Sequence, residues 1–224
     1  MKVAAVTGLA AEAKLARRAG LAALPSGGVS LQTTAIAESL LREGAEALVS
    51  FGIAGALAPS LAPGSLLVPR TVIDETGARY AVDTAWRTRL IDALRRAGLR
   101  FDEGDLLGAR DAAASPARKA ELLRAIGAVA IDLESHLVAH VAARAGRPFL
   151  VLRAVADGAT RPLPDAAVHG LAPSGSPALG RVLLSVARDP RQIPALIRLA
   201  GDTRRALDAL GSALRAVSLE EAAP

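Results

Sequence analysis

Short apolar runs alternate with segments of helical spacing along most of the chain. Val3 to Thr7 is such a run and stops at Gly8, and the segment from Leu9 to Ala19 consists of good helix formers. Pro25-Ser26-Gly27-Gly28 is the first clear loop, Thr34 to Glu43 reads as a helix closed by Gly44, and Glu46 to Phe51 as a strand entering a glycine turn, Gly52-Ile53-Ala54-Gly55-Ala56. Ser65 to Val68 is another strand, Thr71 to Ala85 is extended or irregular, and Trp86 to Ala97 carries Leu90, Ile91 and Leu94 at helical spacing. After a short strand at Asp105 to Gly108, Ser115 is a good N-cap before Pro116, so a helix is predicted from about 116 to 126.

The stretch from Val129 to Ala159 organises the rest. Its first apolar run ends in Asp132 and Glu134, a helical segment follows until Gly146 and Pro148, and a second apolar run from Phe149 to Val155 ends at Asp157. The pattern predicts a strand, helix, strand unit with the length of a parallel crossover, placing Glu134 and Asp157 at one end of the sheet. Ligands in open α/β sheets bind at the carboxyl ends of strands, so these two acids are candidates for chemistry. Residues 158 to 180 hold Pro162, Pro164, Pro173 and Pro177 and read as a long loop, followed by helices over 181–217, with a break expected near Gly201. Leu207, Leu210, Leu214 and Val217 form an apolar stripe expected to pack on the domain. The whole is one α/β domain over residues 1–224, a central mixed, mostly parallel twisted sheet flanked by helices.

Composition narrows the function classes. At 224 residues and 51% hydrophobic the chain supports one substantial core, and the absence of Cys removes disulfides and thiolate metal sites and favours a reducing compartment. No apolar run reaches the ~18 to 20 residues that span a bilayer, so a cytoplasmic protein is expected. The net charge of +5 is spread out: from residue 181 onward seven Arg face five acids, so no basic block forms there. Aromatics at 2% leave little for nucleic-acid bases to stack on, and nucleic-acid binding is not expected.

Glu12 falls in the first turn of the first helix, where an acid either compensates the helix dipole or turns its carboxylate toward the strand ends. The G-x-x-G pattern of Gly52 and Gly55 lacks the spacing of a dinucleotide site and the Lys-Ser/Thr of a P-loop, and signifies close backbone approach to a ligand or a neighbouring element. His136 and His140 are four apart on the helix after Glu134, but a zinc site would need a third ligand from elsewhere, and no metal or other cofactor is expected.

The segments VTGLAAE near the start, SFGIAGALAPSLAPGSLLVP at 50–69 and AIDLESHLVAHVAARAGRPFLVLRAVADGA at 130–159 resemble the superfamily of purine nucleoside phosphorylases and methylthioadenosine/S-adenosylhomocysteine nucleosidases. The shortened region between 20 and 35, with RPLPDAAVHGL and DPRQIPALIRLA, looks like the hopanoid-associated phosphorylase branch, which is assigned the release of adenine from adenosylhopane. The resemblance implies that Asp157 protonates N7 of a departing purine, Glu134 accepts hydrogen bonds from the ribose hydroxyls and Glu12 activates water. It places Gly52, Ile53 and Gly55 by the sugar, Leu133 beneath the ribose, and Ala112 and Ala113 beside the base. Ile53 and Ala156 stand where the nucleosidases carry Ser, Leu133 replaces a Met, and an aromatic is lost to Ala112 or Ala113, which suits a bulky apolar 5' substituent.

The nucleophile is open between water and phosphate. Gly8, Ser26, Gly27, Gly28 and Arg153 are candidate parts of a phosphate cradle, whereas the retained Glu12 favours water. The expected partner is therefore an adenine nucleoside with an apolar 5' group, with a homodimer implied by the resemblance and a peripheral contact between the C-terminal helices and the inner membrane face left open. The alternatives are turnover of small 5'-substituted adenosines of the methylthioadenosine type, and nucleoside binding without turnover.

Overall fold

The computed structural model describes residues 1–168 and 171–224, so the last part of the RPLPDAAVHGL segment lies partly outside the described residues. In chain order the elements are β1 (Val3–Thr7), α1 (Ala10–Arg18), β2 (Ala22–Pro25), α2 (Ser30–Arg42), β3 (Ala47–Ala56), β4 (Leu66–Leu67), β5 (Thr71–Asp74), β6 (Arg79–Ala81), α3 (Thr84–Arg96), β7 (Phe101–Asp102), β8 (Leu106–Gly108), α4 (Pro116–Ile126), β9 (Ala130–Asp132), α5 (Ser135–Arg144), β10 (Phe149–Asp157), α6 (Asp165–Val168), α7 (Leu179–Arg188) and, after a 3-10 turn at Pro190–Gln192, α8 (Ile193–Ala216). The strands form one mixed sheet in the order β6-β5-β8-β9-β3-β10-β4-β7, with β1 on β3 and β2 on β1.

β3 and β10 are the spine, parallel and in register from Leu48↔Phe149 to Ala54↔Val155. Both are apolar on successive positions because helices cover both faces. Successive residues then feed opposite layers. Val3, Ala5, Leu150 and Leu152 pack with Trp86, Leu90 and Leu94 of α3 and with Ala206, Leu210 and Ala213 of α8. Ala4, Val6, Phe149 and Val151 pack with Ala37 and Leu40 of α2 and with Val138 and Ala142 of α5. A smaller cluster of Leu57, Leu107, Ile131 and Leu122 underlies α4.

Several boundaries differ from the sequence reading. β2, a strand parallel to β1, precedes the loop at a place where no element is expected, α2 begins at Ser30, and Thr71 to Ala81 is an antiparallel hairpin. These edge strands carry little periodicity; β2 buries only one of its four residues, so tertiary pairing makes it a strand. The N-cap at Ser115 is present, its hydroxyl accepting from the Arg118 N–H at 3.2 Å. α8 runs unbroken through Gly201, whose cost of about 1 kcal/mol relative to Ala is outweighed by the apolar contacts of the helix with α3 and β10. Its stripe of Leu207, Leu210, Leu214 and Val217 packs on the domain.

Candidate active site

The site lies on one edge of β3. β1 pairs with the first half of that edge, in parallel, as far as Val6↔Ser50, and β9 pairs with the end of it, antiparallel, at Gly55↔Ile131 and Ala56↔Ala130. The carboxyl ends of β1 and β9 therefore meet head-on across residues 51–54. The parallel crossover expected for β9, α5 and β10 is not what forms: β9 runs opposite to β10, and Glu134 and Asp157 come together because β9 descends toward the middle of β3 while Asp157 sits beside Gly55. Gly52 and Gly55, expected in a turn, are extended positions inside β3.

Glu12 answers both of its sequence readings. One carboxylate oxygen accepts from the Leu9 N–H at 2.7 Å and caps α1, and the other crosses to the Ile53 N–H of β3 at 2.8 Å. Burial pushes its carboxyl above the ordinary value, against the Arg153 charge and the N–H groups of Leu9, Ile53 and Gly8. A Cβ on Gly52 would lie 2.6 Å from both the Glu12 carboxylate and the Arg153 guanidinium, and φ is +156° there, so only glycine lets the acid sit against the strand. The close approach anticipated for this glycine is to neighbouring side chains. Gly8 and Gly55 play the same part, a Cβ falling 2.6 Å from a Glu134 oxygen and 2.9 Å from Asp157 Oδ1 respectively.

Glu134 immediately precedes α5 as its N-cap residue and belongs to a buried charge cluster. Arg153, fully buried on β10, lies 2.6 Å from Asp132 and 3.2 Å from Glu134 and donates to Ser50 Oγ at 2.7 Å. Its Nε–H is not aligned with the Asp132 oxygen, so that contact is an ion pair rather than a directed hydrogen bond. The Ser50 and Ser135 hydroxyls are bonded at 2.9 Å, and Asp132 caps α5 by accepting from the Ser135 N–H at 3.0 Å. Burial opposes the charge of Arg153, yet Asp132, Glu134 and Glu12 hold its proton above the ordinary arginine value. The same crowding of acids acts on Glu134: burial, and then Asp132 and Glu12 against the pull of Arg153, push its carboxyl up to about 8.

Asp157 ends β10. Its carboxylate is paired with the ammonium of Lys119 from α4, a side chain 1% exposed that also donates to the carbonyls of Gly158 at 2.9 Å and Arg161 at 3.1 Å. Burial raises the Asp157 carboxyl, Lys119 draws it down, and Asp202 adds to the rise. Sequence reasoning missed Lys119, although a signal existed. It is one of three Lys in the chain and stands at the apolar spacing of Leu122 and Ile126, where a solvated charge does not belong. Ser50 and Ser135, which complete the Arg153 cluster, carry no comparable signal.

Glu12, Glu134 and Asp157 line one cavity of about 180 Å³ together with Gly8, Leu9, Gly28, Ile53, Ala54, Gly55, Ala112, Ala113, Ile131, Asp132, Leu133, Leu163 and Leu171. Gly52, Ser26, Gly27 and Arg153 stand outside this lining. The Ser26 and Gly27 N–H groups donate to the Thr7 and Gly8 carbonyls at 2.7 and 2.9 Å, and the charge of Arg153 is spent on carboxylates. The N–H groups of Ser26 and Gly27 and the guanidinium of Arg153 are thus not offered to an anion in the cavity. His136 packs against Gly108, and His140 Nδ1 is 3.5 Å from the Tyr80 hydroxyl; no group of three or more metal-ligating side chains is found among the described residues.

Three acids gathered over a strand edge, one with a built-in cation and two beside a shared guanidinium, can protonate a leaving group, hold a polyol and activate a nucleophile. Residues 22–188 match the family model of the phosphorylase superfamily. The chain belongs to that superfamily. Curated protein sequences give no match. Among solved structures, this superfamily member is similar to the 5'-methylthioadenosine/S-adenosylhomocysteine nucleosidase of Helicobacter pylori, solved with butyl-thio-DADMe-Immucillin-A, at a TM-score of 0.71 and 16% identity over 97% of this chain and 99% of that one. The futalosine hydrolase of Helicobacter pylori gives 0.69 at 15% identity over 97% and 98%. The nucleosidase of Neisseria meningitidis, in complex with methylthio-immucillin-A, gives 0.69 at 17% over 97% and 100%. The α/β fold expected from the sequence is the fold these structures share.

Proposed function

We propose that this superfamily member hydrolyses the N-glycosidic bond of an adenine nucleoside with a large apolar 5' group, adenosylhopane in hopanoid biosynthesis being the substrate that best fits. The observation that carries the reading is the convergence of Glu12, Glu134 and Asp157 on one cavity. Asp157 delivers a proton to purine N7 as the C1'–N9 electron pair moves into the base, so that adenine leaves neutral. Glu134 holds the ribose hydroxyls while the anomeric carbon gains positive charge, and Glu12, a stronger base for its burial, takes the proton of the attacking water.

Water is favoured over phosphate by charge. The Arg153 guanidinium is paired with Asp132 and Glu134, and the Lys119 ammonium with Asp157, so neither buried cation is left to hold a phosphate. The rate of adenine release is expected to be independent of phosphate concentration. Glu12→Gln should lower kcat by about 10²–10⁴-fold, with circular dichroism confirming a folded protein. A rate proportional to phosphate, or a Gln variant of native activity, would overturn hydrolysis.

The apolar 5' group is supported by Leu9, Leu133, Leu163 and Leu171 in the lining. Eight residues beyond Leu171, α7 starts a surface on which Leu179, Leu183, Leu184, Ile193 and Ile197 are exposed beside Arg188, Arg191 and Arg198. No described helix is long and apolar enough to cross a membrane. Leucines flanked by arginines suit an anionic lipid surface, from which a lipid-linked nucleoside would pass to the cavity. Vesicles of phosphatidylglycerol and phosphatidylcholine should bind the protein, and Leu183→Glu with Leu184→Glu should weaken that binding about tenfold or more. Unchanged binding, or a native dimer that these substitutions dissociate, would remove the lipid contact from the proposal.

A further inference from the structure

Among the described residues Lys119 and Arg153 are the buried cations, and Lys119 is the one paired with the proposed acid. An ammonium has three donors. All three are taken by a single short segment, through Asp157 Oδ2 and the carbonyls of Gly158 and Arg161. Ala156 before the acid has no hydroxyl, and among the described residues Lys119 is the only donor found on the Asp157 carboxylate. Lys119 also separates the two oxygens of the acid. Oδ2 is bound to the ammonium, whereas Oδ1 has no donor among the described residues and is the nearer of the two to Gly55 at the cavity wall, 2.9 against 3.3 Å from a Cβ placed there.

We propose that Lys119 is a positioning residue for the glycosidic cleavage, which presents Asp157 Oδ1 to the purine and stabilises the carboxylate that remains once the proton has gone to N7. The inference rests on the reading of Asp157 as the acid. The proton leaves Oδ1 for N7, the C1'–N9 bond breaks toward the base, and the aspartate so formed lies against an ammonium already in contact with Oδ2. Without that charge a buried aspartate would form unpartnered, and the transfer would run uphill.

The other charged groups around the acid do not replace it. Asp202 of α8 acts on Asp157 with the wrong sign, since it is itself an acid, held by Arg161 at 3.0 Å and by Arg205. Arg198 lines the adjoining cavity behind Asp157, and Glu12 and Glu134 face Asp157 across the main one. Burial and Asp202 raise the proton affinity of Asp157, and Lys119 is the group that restrains it.

The test is the pH dependence of adenine release from a 5'-alkylthioadenosine. Asp157 must be protonated to act, so activity falls as pH rises through its pKa, and removing Lys119 raises that pKa. Lys119→Met should lower the plateau of kcat at least about tenfold and move its alkaline limb up by roughly a pH unit or more. The loss should be at least about tenfold smaller on a 4-nitrophenyl 5-alkylthio-riboside, which releases nitrophenolate as its C1–O bond breaks and needs no proton on the leaving group. Equal losses on both substrates, or a limb that stays in place, would overturn the proposal.

Should Lys119→Met not fold, the comparison of Asp157→Asn with Lys119→Met/Asp157→Asn decides, since the double variant buries a neutral pair. A residue that acts through Asp157 adds no further loss there; a further loss overturns the inference. Native activity in Asp157→Asn would instead remove the acid, and with it the glycosidase reading itself.

Discussion

Asp157→Asn is expected to lower kcat for adenine release by about 10²–10⁴-fold, and to lower stability as well, because the buried Lys119 ammonium loses its counter-charge. The amide has the shape of the carboxyl group but no acidic proton for N7. The Lys119 ammonium keeps three oxygen acceptors, the amide oxygen and the carbonyls of Gly158 and Arg161, so the loop after β10 keeps its anchor. Steady-state adenine release with a thermal melt on the same sample checks both halves of the expectation. A rate within about threefold of native would deprive the site of its acid and leave cleavage without a leaving-group proton.

Arg153→Met is expected to cost about 3–5 kcal/mol of stability, the size seen when one partner of a buried ion pair is removed. The side chain is fully buried, and its loss strands Asp132, Glu134 and Glu12 around an apolar thioether. The deficit should depend on pH. Glu134 has a folded-state pKa of about 8 against an ordinary 4.5, so its native form binds the proton more tightly; stability is full below the lower value and lost as pH rises toward the upper one. In the variant the guanidinium no longer pulls that value down, and the decline extends to higher pH. Urea midpoints at pH 6 and pH 8.5 measure it, and a variant whose midpoint falls no more steeply than that of the native protein would contradict the account.

Long apolar runs made the spine legible. β1, β3 and β10 are buried on both faces and read as strands without ambiguity, and the acids that end or follow strands, Glu12, Glu134 and Asp157, could be picked out before any coordinates. What sequence reasoning could not supply was direction. β9 has three residues, and nothing in Ala130-Ile131-Asp132 says which way it runs against β3. The expected crossover delivered the right acids by the wrong route. The glycines misled for a related reason: Gly52 and Gly55 look like a turn because a strand has no need of them, until the carboxylates pressed against their Cα atoms are seen. Lys119 was hidden by habit, since a lysine on a helix is ordinarily at the surface.

Where β1 and β9 stop short of each other, the sheet is completed by side chains. The Ile53 N–H is met by Glu12, and its carbonyl accepts from Arg153 at 3.3 Å. Losing the carboxylate of residue 12 would leave the part-buried Ile53 amide without its partner, a penalty of up to about 1–3 kcal/mol. Drift away from turnover would thus be resisted at this position by the fold itself. The oxygen atoms proposed as the base also serve as a missing rung of the ladder, and selection on architecture alone is enough to keep the carboxylate in place.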